Sequence, residues 1–491
     1  MSVTAQEAFQ PEQLAGPTGL TSHRPRLLLL SYHFPPGQSP GALRWEMLAA
    51  HADRRGYGLD VLTVHPASLP ESDMSRLRNL PPDTRVLGVP LPTLVVERLE
   101  HFAWRALRQL RGARPAAPSA LAPTPAAAAG PAAAAPGSYG RDEIPWSWTS
   151  AGCWKRAYYA WLEAQKDLAW ALCATSAAGA WLAEHNHQAI ICCGPPHMPH
   201  EAARRLAATT GLPLVLDLRD PWRLQQRLPA TIASPLWFRL AARYEQQAVA
   251  AASLIVANTE PSRDGMRALY PAQAERIIAV MNGYDEDPLP PSRRGDRFVA
   301  AYAGSIYLDR DPRPLFRAAA RVIATHRLTP AQFGLAFIGN VDSYGGVPLS
   351  RMAVEEGIGG YVETGPSRPR GAAMEFLAGA TMLVSLPQDS DMAIPSKIFE
   401  YVRFHAWLLA LVSRSSATGR ALDGTDADVV EPADEAGITA ALERRWLAFA
   451  AGERPGRLRG SEPLSRGRQA AILFDALALR LTPVPVLQPV S

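Results

Sequence analysis

The stretch RPRLLLLSYHFPPGQSPGALRWEMLAAHADRRGYGLDVLTVHP, residues 24–66, contains one complete strand–helix–strand unit. Its first part, RPRLLLLS, is a short continuous apolar run, which is typical of a parallel strand buried on both faces. A Pro-Pro-Gly turn ends this run, and ALRWEMLAAHADRRG follows with helical spacing and a glycine stop. LDVLTVHP reads as the next strand. This order predicts a doubly wound α/β sheet.

The same alternation continues in two successive parts of the 491-residue chain. The first part adds the strand-like runs TRVLGVPLP, AIICCG, LPLVLDLRD, SLIVANT and RIIAVMNGYD. At EDPLPPSRRGDR the composition shifts to proline and charge, which indicates a linker, and a second set of strands begins with FVAAYAGS. We therefore predict two Rossmann-like domains, residues 25–290 and 296–460. Residues 1–24 read as a disordered tail, and the helical segment 464–481 is placed to pack back on the first domain.

Residues 112–137 are almost entirely alanine and proline. Repeated prolines exclude a continuous helix and nothing in this stretch can form a core, so we predict a flexible insertion. The segment before it, VERLEHFAWRALRQLRGAR, is a basic amphipathic helix that carries Phe102 and Trp104. Such a helix either contacts an anionic membrane surface or packs on its own domain.

Composition excludes several classes of protein. The formal net charge of +4 is small for this length and predicts no nucleic-acid partner. Four cysteines, two of them adjacent, form neither a disulfide framework nor a zinc-binding spacing. No signal peptide and no membrane-spanning apolar run are recognisable. We expect a cytoplasmic protein that is at most peripheral to a membrane.

The stretch IPSKIFEY, residues 394–401, contains one of only three lysines, and the others are Lys155 and Lys166. Pro395 suits a first helical turn, which places Lys397 near a helix N-terminus, where the dipole favours acids rather than cations. Lys397 and Glu400 are three residues apart and share one helical face. The two readings are a surface Lys–Glu pair and a ligand site. Because the chain otherwise uses arginine, and because a buried strand precedes the pair, we favour a ligand site.

Loops after the predicted strands of the first domain hold further candidates. Gly37 and Gly41 in PPGQSPGAL allow close backbone approach and present amides at a helix start, although a tight turn has the same pattern. His197 and His200 in GPPHMPH lie where open α/β sheets bind ligands, and helix capping is the alternative. DLRDPW supplies Asp217, Arg219 and Asp220, which form either an ion-pair network that fixes the loop or a contact to substrate.

The second domain repeats this arrangement. In AGSIYLDRDPRPL, Gly304 and Ser305 form the turn, and Arg310 and Arg313 stand near the following helix. A surface arginine commonly only faces solvent. Ser367 in ETGPSRP either contacts a ligand or belongs to an ordinary turn.

Five of these patterns, in this order, resemble GT-B glycosyltransferases, specifically the retaining family 4-like enzymes. They are LLLLSYHFPPGQSPGALRWEMLA, CCGPPHMPHEAARRLAATTGLPLVLDLRDPW, LIVANTEPSRDGM with IIAVMNGYD, AAYAGSIYLDRDPRPLFRAAARVI and AIPSKIFEYVRFHAWLLALV. The resemblance covers residues 25 to 480 except the Ala/Pro insertion. It implies two Rossmann-like domains facing across a cleft, with a nucleotide-sugar on the C-terminal domain and most of the acceptor site on the N-terminal domain. It also implies retention of configuration, no bound metal and no cofactor.

The resemblance implies roles for individual residues. Lys397 and Arg310 would hold the donor diphosphate, with Arg313 as the open alternative to Arg310, and Glu400 would bind the ribose hydroxyls. His197, with His200 second, would contact the sugar or acceptor. The Gly37–Gly41 loop, Gly304, Ser305 and Ser367 would line the donor, and Arg219 and Asp220 are either acceptor-side or structural.

One position departs from the family pattern. The family's fuller motif has a second glutamate eight positions before Glu400, where this chain has Met392, with Asp389 and Asp391 nearby. The expected function is sugar transfer from a nucleotide-sugar to a glycan or lipid-linked acceptor in surface polysaccharide assembly. The alternatives are a GT-B sugar-nucleotide epimerase, which needs carboxylates in the cleft, and a non-catalytic nucleotide-sugar-binding or scaffold protein.

Overall fold

The computed structural model describes residues 10–16, 24–100, 147–292, 295–387 and 390–481, and the backbone of residues 138–140. The predicted insertion at 112–137 lies outside these ranges, and so does most of the basic amphipathic segment, of which residues 95–100 are helical. No helix within the described ranges is long and apolar enough to cross a membrane.

The first half of the chain forms an eight-stranded sheet and a separate two-stranded one. The strands of the two sheets are β1 (Glu12–Ala15), β2 (Arg26–Ser31), β3 (Gly58–Val64), β4 (Thr84–Val89), β5 (Ser138–Gly140), β6 (His187–Gly194), β7 (Leu214–Leu218), β8 (Arg227–Pro229), β9 (Leu254–Ala257) and β10 (Ile277–Ala279). The order in the sheet is β1-β4-β3-β2-β6-β7-β9-β10, and β5 pairs separately with β8. All pairs of the large sheet are parallel except β1 with β4. The α/β class is therefore confirmed.

Strand β1 lies within residues 1–24, which we expected to be a disordered tail, and it corrects that expectation for residues 12–15. Residues 12–15 pair antiparallel with β4 at the edge of the sheet. Their pairing partner lies about 70 residues further along the chain, so local composition contains no trace of it.

Helices cover both faces of this sheet. They are α1 (Ala42–Arg54), α2 (Cys153–Ala177), α3 (Gly179–Glu184), α4 (Pro199–Thr210), α5 (Pro235–Ala251) and α6 (Glu260–Leu269). Leu28 and Leu30 of β2 point into one apolar cluster, whereas Leu27 and Leu29 point into the cluster on the opposite face. This burial on both faces is why the strand reads as a continuous apolar run.

A buried charge network closes the amino edge of the sheet. Asp60 is 0% exposed and accepts hydrogen bonds from Arg26 Nη2 at 2.6 Å, Arg85 Nε at 2.7 Å and His187 Nε2 at 2.9 Å. Burial alone would raise the pKa of Asp60, but the hydrogen bonds from Arg85, His187 and Arg26 hold it well below its ordinary value.

The second half forms a six-stranded parallel sheet. Its strands and the neighbouring two-residue ladder are β11 (Phe298–Ala303), β12 (Phe333–Ile338), β13 (Ser343–Tyr344), β14 (Val347–Pro348), β15 (Val362–Gly365), β16 (Met382–Ser385), β17 (Trp407–Leu411) and β18 (Asp428–Val430). The order is β15-β12-β11-β16-β17-β18, and β13 pairs with β14. The helices are α7 (Arg313–His326), α8 (Leu349–Glu355), α9 (Arg370–Ala378), α10 (Ser396–Tyr401), α11 (Ala417–Ala421), α12 (Glu435–Ala450) and α13 (Arg466–Ala478).

Helix α13 packs on the first domain. Leu473, Phe474 and Leu477 are buried in the same apolar cluster as Trp45 of α1. Arg466, at the start of this helix, binds the Asp285 carboxylate at 2.9 Å. Helix α13, which follows the second sheet in sequence, therefore gives the two domains a connection in addition to the linker.

The carboxyl edges of the two sheets also meet directly. Thr259, just after β9, donates from Oγ1 to the Met392 carbonyl oxygen at 2.7 Å, and Met392 belongs to the loop between β16 and α10. Arg420 of α11 binds Asp264 of α6 at 2.7 Å. Since ligands of open α/β sheets bind beyond the carboxyl ends of the strands, the cleft between these edges is where a site is expected.

Candidate active site

Three glycines lie side by side where neighbouring strands of the second sheet end. Gly304 follows β11, Gly339 follows β12, and Gly365 ends β15. The Gly304 amide donates to the Ile338 carbonyl oxygen at 2.9 Å, and the Gly339 amide donates to the Gly365 carbonyl oxygen at 3.1 Å. Gly304 and Gly339 have φ angles of +146° and +121°, and a Cβ on Gly339 would collide with the Gly304 carbonyl. This glycine row exposes backbone to any ligand at the sheet edge.

Lys397 reaches the glycine row from α10. Its Nζ lies 3.9 Å from the centroid of the Tyr302 ring, and a Cβ on Gly304 would come within 2.5 Å of it. The Nζ atom is buried and has no hydrogen-bond partner among the described residues. Burial lowers the pKa of Lys397 well below its ordinary value, and the charge of Arg310 lowers it further. A buried amine without a partner is costly, so Lys397 is a candidate for binding an anionic ligand.

Arg310 and Arg313 have different surroundings. Arg310 Nη1 donates to the Ser305 carbonyl oxygen at 3.0 Å, and its guanidinium lies over the Tyr307 ring at 4.1 Å from the centroid. Arg313 instead pairs with Asp311 through Nε at 2.9 Å and Nη2 at 2.6 Å. The Asp311 carboxylate therefore balances the charge of Arg313, whereas the charge of Arg310 lowers the pKa of Lys397.

Glu400 faces Arg370 rather than Lys397. Arg370 Nη1 donates to Glu400 Oε1 at 2.8 Å, and this ion pair joins the start of α9 to α10. Ser367 is exposed in the loop before α9. Met392 contributes its carbonyl oxygen to the contact with Thr259, and Asp389 lies outside the described residues.

Arg219 lies against the start of α1 in the first domain. A Cβ on Gly41 would collide with the Arg219 guanidinium, so the glycine is required for this approach. Arg219 Nη2 donates to the Pro195 carbonyl oxygen at 2.7 Å, and its amide donates to the Gly194 carbonyl oxygen at 3.0 Å. Gly37 lies in the same β2–α1 loop, where its carbonyl oxygen accepts from Arg76 Nη1 at 2.6 Å.

His197 and His200 are both buried at this edge, with 9% and 4% of their surface exposed. The His197 ring stacks on Trp222 with centroids 5.1 Å apart, and lies 5.8 Å from the His200 ring. His197 Nδ1 and His200 Nε2 have no hydrogen-bond partner among the described residues. Burial lowers the pKa of His200 to about 4. Burial, His200 and Arg219 together lower the pKa of His197 well below its ordinary value, so both rings are neutral at pH 7.

The sequence predicted an ion-pair network among the charged residues of DLRDPW, and this is wrong because Asp217 pairs with a residue outside this stretch. Asp217 is 1% exposed and pairs with Arg44 of α1, which donates from Nε at 2.8 Å, and it also accepts from Trp45 Nε1 at 2.7 Å. Arg219, which follows the end of β7, lies against Gly41 instead of pairing with Asp217. Asp220 is exposed.

Two carboxylates at the same edge were missed by the sequence reasoning. Trp170 of α2 donates from Nε1 to the carbonyl oxygen of Val89, the last residue of β4, at 3.1 Å. Trp170 therefore marks the level of the carboxyl ends of the strands. Glu163 and Asp167 lie about 10 Å and 4.5 Å from Trp170 along the helix axis, on the side of the cleft. Burial raises the pKa of Asp167 well above its ordinary value, and the charge of Glu163 raises it further. Glu163 and Asp167 are four residues apart, and two like charges at this spacing are unfavourable on a helix. This unfavourable spacing was the sequence signal that could have identified the two residues as candidates.

No group of three histidine, cysteine, aspartate or glutamate side chains is arranged to hold a metal ion in the described part of the chain. The basic side chains of this edge include Lys397 and Arg310 on the second domain and Arg219 on the first.

Comparisons with known proteins show the fold. No protein-family model matches the chain. D-inositol 3-phosphate glycosyltransferase 1 of Catenulispora acidiphila is 28% identical over 193 residues, which are 36% of this chain and 46% of that relative. The chain therefore matches less than half of the length of this curated relative.

Two solved structures match almost the whole chain. The α,α-trehalose 6-phosphate synthase of Burkholderia multivorans has a TM-score of 0.52 at 14% identity, covering 93% of this chain and 98% of that one. The lipopolysaccharide outer core galactosyltransferase WaaB in its apo form has a TM-score of 0.51 at 12% identity, covering 93% of this chain and 100% of that one. The predicted architecture is confirmed: the chain has the GT-B fold, with two Rossmann-like domains facing across a cleft.

Proposed function

We propose that the protein is a retaining, family 4-like glycosyltransferase that uses a nucleoside diphosphate sugar. The observation that carries this proposal is the Lys397 amine, which is buried without a partner against the glycine row. A compact cation beside exposed backbone suits a diphosphate, whose negative charge needs fixed positive partners. The partial match to a curated glycosyltransferase agrees with it.

The arrangement divides the work between the two domains. Lys397 and Arg310 hold the diphosphate and stabilise the charge that develops on it as the glycosidic bond breaks. Glu400, oriented by Arg370, accepts hydrogen bonds from the ribose hydroxyls. His197 contacts the transferred sugar from the first domain. The acceptor hydroxyl attacks on the face from which the diphosphate departs, and the leaving phosphate takes its proton.

We further propose that the acceptor is a glycan or a lipid-linked sugar of surface polysaccharide assembly, and that transfer needs no bound metal. Two side-chain cations at the diphosphate position support the second statement. Transfer rates that are unchanged after dialysis against EDTA are the expected result, and a loss restored by Mg²⁺ or Mn²⁺ would contradict it.

Calorimetry with UDP, GDP and ADP, followed by the corresponding sugar donors, tests the site. Replacing Lys397 by alanine is expected to weaken binding of the accepted nucleotide by about 10- to 150-fold, as for loss of a charge-assisted hydrogen bond. Glu400→Ala should weaken the binding of ribonucleotides more than the binding of 2′-deoxyribonucleotides, which lack one of the hydroxyls that Glu400 contacts. Unchanged affinity in both variants would refute the site. Tight binding without donor hydrolysis or transfer would favour a non-catalytic nucleotide-sugar-binding protein.

A sugar-nucleotide epimerase is the second candidate, because Glu163 and Asp167 supply carboxylates at the cleft edge. An epimerase that moves a proton on carbon incorporates deuterium into the sugar when the donor is incubated in D₂O. Incorporation that is lost in Asp167→Asn would favour this function over transfer.

A further inference from the structure

The Arg219 guanidinium is held at the amino end of α1, where positive charge is unfavourable. The α1 helix has 13 residues, and Gly41 at its N-cap supplies no side-chain cap. The first turn contains no acidic residue. Because the amino end of a helix carries a partial positive charge, the guanidinium and the helix end repel each other, and an anion that contacts both would relieve this repulsion.

No carboxylate of the described residues forms an ion pair with Arg219. Asp217 is occupied by Arg44 and Trp45. Asp220, the next residue along the chain, is exposed and attracts Arg219 only at longer range. Arg219 Nε is buried and has no hydrogen-bond partner among the described residues. Among the described residues, the guanidinium therefore donates a hydrogen bond through Nη2, and its buried Nε donor is left without an acceptor.

Neutral imidazoles surround this charge. His197 and His200 are more than nine-tenths buried, and each has one ring nitrogen without a partner among the described residues. His200 lies against Gly194, whose carbonyl oxygen accepts from the Arg219 amide. Burial, and then the charge of Arg219, lowers the pKa of His33 to about 4. At pH 7 these three imidazoles are uncharged, so they place neutral hydrogen-bonding groups beside the Arg219 charge.

We propose that Arg219 and the amino end of α1 bind an anionic group, a phosphate or a carboxylate, carried by the sugar or polyol acceptor. This inference rests on the proposed glycosyltransferase function. The site lies on the first domain, whereas the donor diphosphate is assigned to Lys397 and Arg310 on the second. A guanidinium binds phosphate and carboxylate through two parallel hydrogen bonds, and neutral imidazoles suit the neighbouring hydroxyls.

Matched acceptor pairs test the proposal. With a fixed donor, hexose 6-phosphates and polyol phosphates are compared with their dephosphorylated forms, and hexuronic acids with the parent hexoses. The phosphate or the carboxylate member of a pair should be used about 100-fold more efficiently than its neutral form. Arg219→Gln should remove this preference by raising KM for the charged acceptor, and the Kd of the donor nucleotide should stay the same. Arg219→Lys should keep part of the preference.

A second arm needs no acceptor. Inorganic phosphate and acetate are titrated by calorimetry into the Lys397→Met variant, in which the donor site contributes little, with and without Arg219→Gln. Arg205→Gln, at an exposed arginine of α4, is the matched control, and thermal melts check folding. Phosphate or acetate binding that disappears only with Arg219→Gln supports the proposal.

Three results would overturn the inference: equal use of charged and neutral acceptors, anion binding unaffected by Arg219→Gln, or an equal loss of donor affinity. The last would place Arg219 at the donor phosphates. If nucleotides fail to bind the wild-type protein while anion binding still depends on Arg219, the proposed function is wrong and the anion site stands.

Discussion

Nucleotide binding should be accompanied by proton uptake at Lys397. In the free protein burial and Arg310 depress the pKa of this amine well below its ordinary value. A diphosphate oxygen about 4 Å from Nζ contributes about 4 kcal/mol at an effective dielectric of about 20, which raises the pKa of the amine in the complex. At pH 8.5 the nucleotide phosphates are already ionised, so uptake reports the lysine. We therefore expect net proton uptake when the nucleotide binds at pH 8.5.

The assay is calorimetry of the accepted nucleotide in buffers of different ionisation enthalpy, where the slope of the observed enthalpy gives the protons taken up. Lys397→Met should abolish the uptake and weaken binding by about 10- to 150-fold. Lys155→Met is the matched control, because Lys155 is exposed on α2 and lies 6.0 Å from the Tyr159 ring. Equal uptake by wild type and Lys397→Met, or proton release, would refute the reasoning.

Three further predictions concern stability and the glycine row. Asp60→Asn should lower the free energy of unfolding in urea by about 3–5 kcal/mol at pH 7, since it breaks a buried charge network. The depressed pKa of Asp60 also means that its stabilisation is present above about pH 4 and is lost as the pH falls further, a loss that the asparagine variant should lack. Asp167→Asn should raise stability at pH 7 by about 1 kcal/mol or more, because a carboxyl with a raised pKa costs stability as pH rises above about 4; an unchanged urea midpoint at pH 7 would contradict this. Gly304→Ala should weaken nucleotide binding at least about 10-fold by displacing the Lys397 amine, whereas Gly371→Ala, whose Cβ meets no atom within 4 Å, should have no effect.

The sequence contains most of the fold because each central strand carries its own signal. Leu27 to Leu30 read as a strand buried on both faces, and the structure buries them on both faces. The short edge strand β1 lacked such a signal, since its order comes only from pairing with β4. Local pattern determines an element, but a pairing partner 70 residues away does not appear in it.

The candidate site was predictable to the same extent. The position of Lys397 at a helix start after a buried strand follows from IPSKIFEY and the apolar run that precedes it. The partner of Glu400 does not, because Arg370 lies 30 residues earlier and reaches it only through the packing of α9 beside α10. The Asp217–Arg44 pair spans 173 residues and was likewise invisible to local spacing. Gly339 was missed because a single glycine after a strand resembles any turn until the neighbouring strand ends are aligned.

The Thr259 hydroxyl has two tasks, since it accepts from the Ser262 amide at the start of α6 and donates to the Met392 carbonyl oxygen. The loop that leads into Lys397 is thus positioned by a side chain of the other domain. Separating the domains removes this support, so the free energy of cleft closure and the placement of the lysine are linked. Linkage is reciprocal: a ligand held by Lys397 favours closure by as much as closure favours the ligand. Thr259 is accordingly coupled in free energy to the proposed donor site, although it lies 133 residues before Met392.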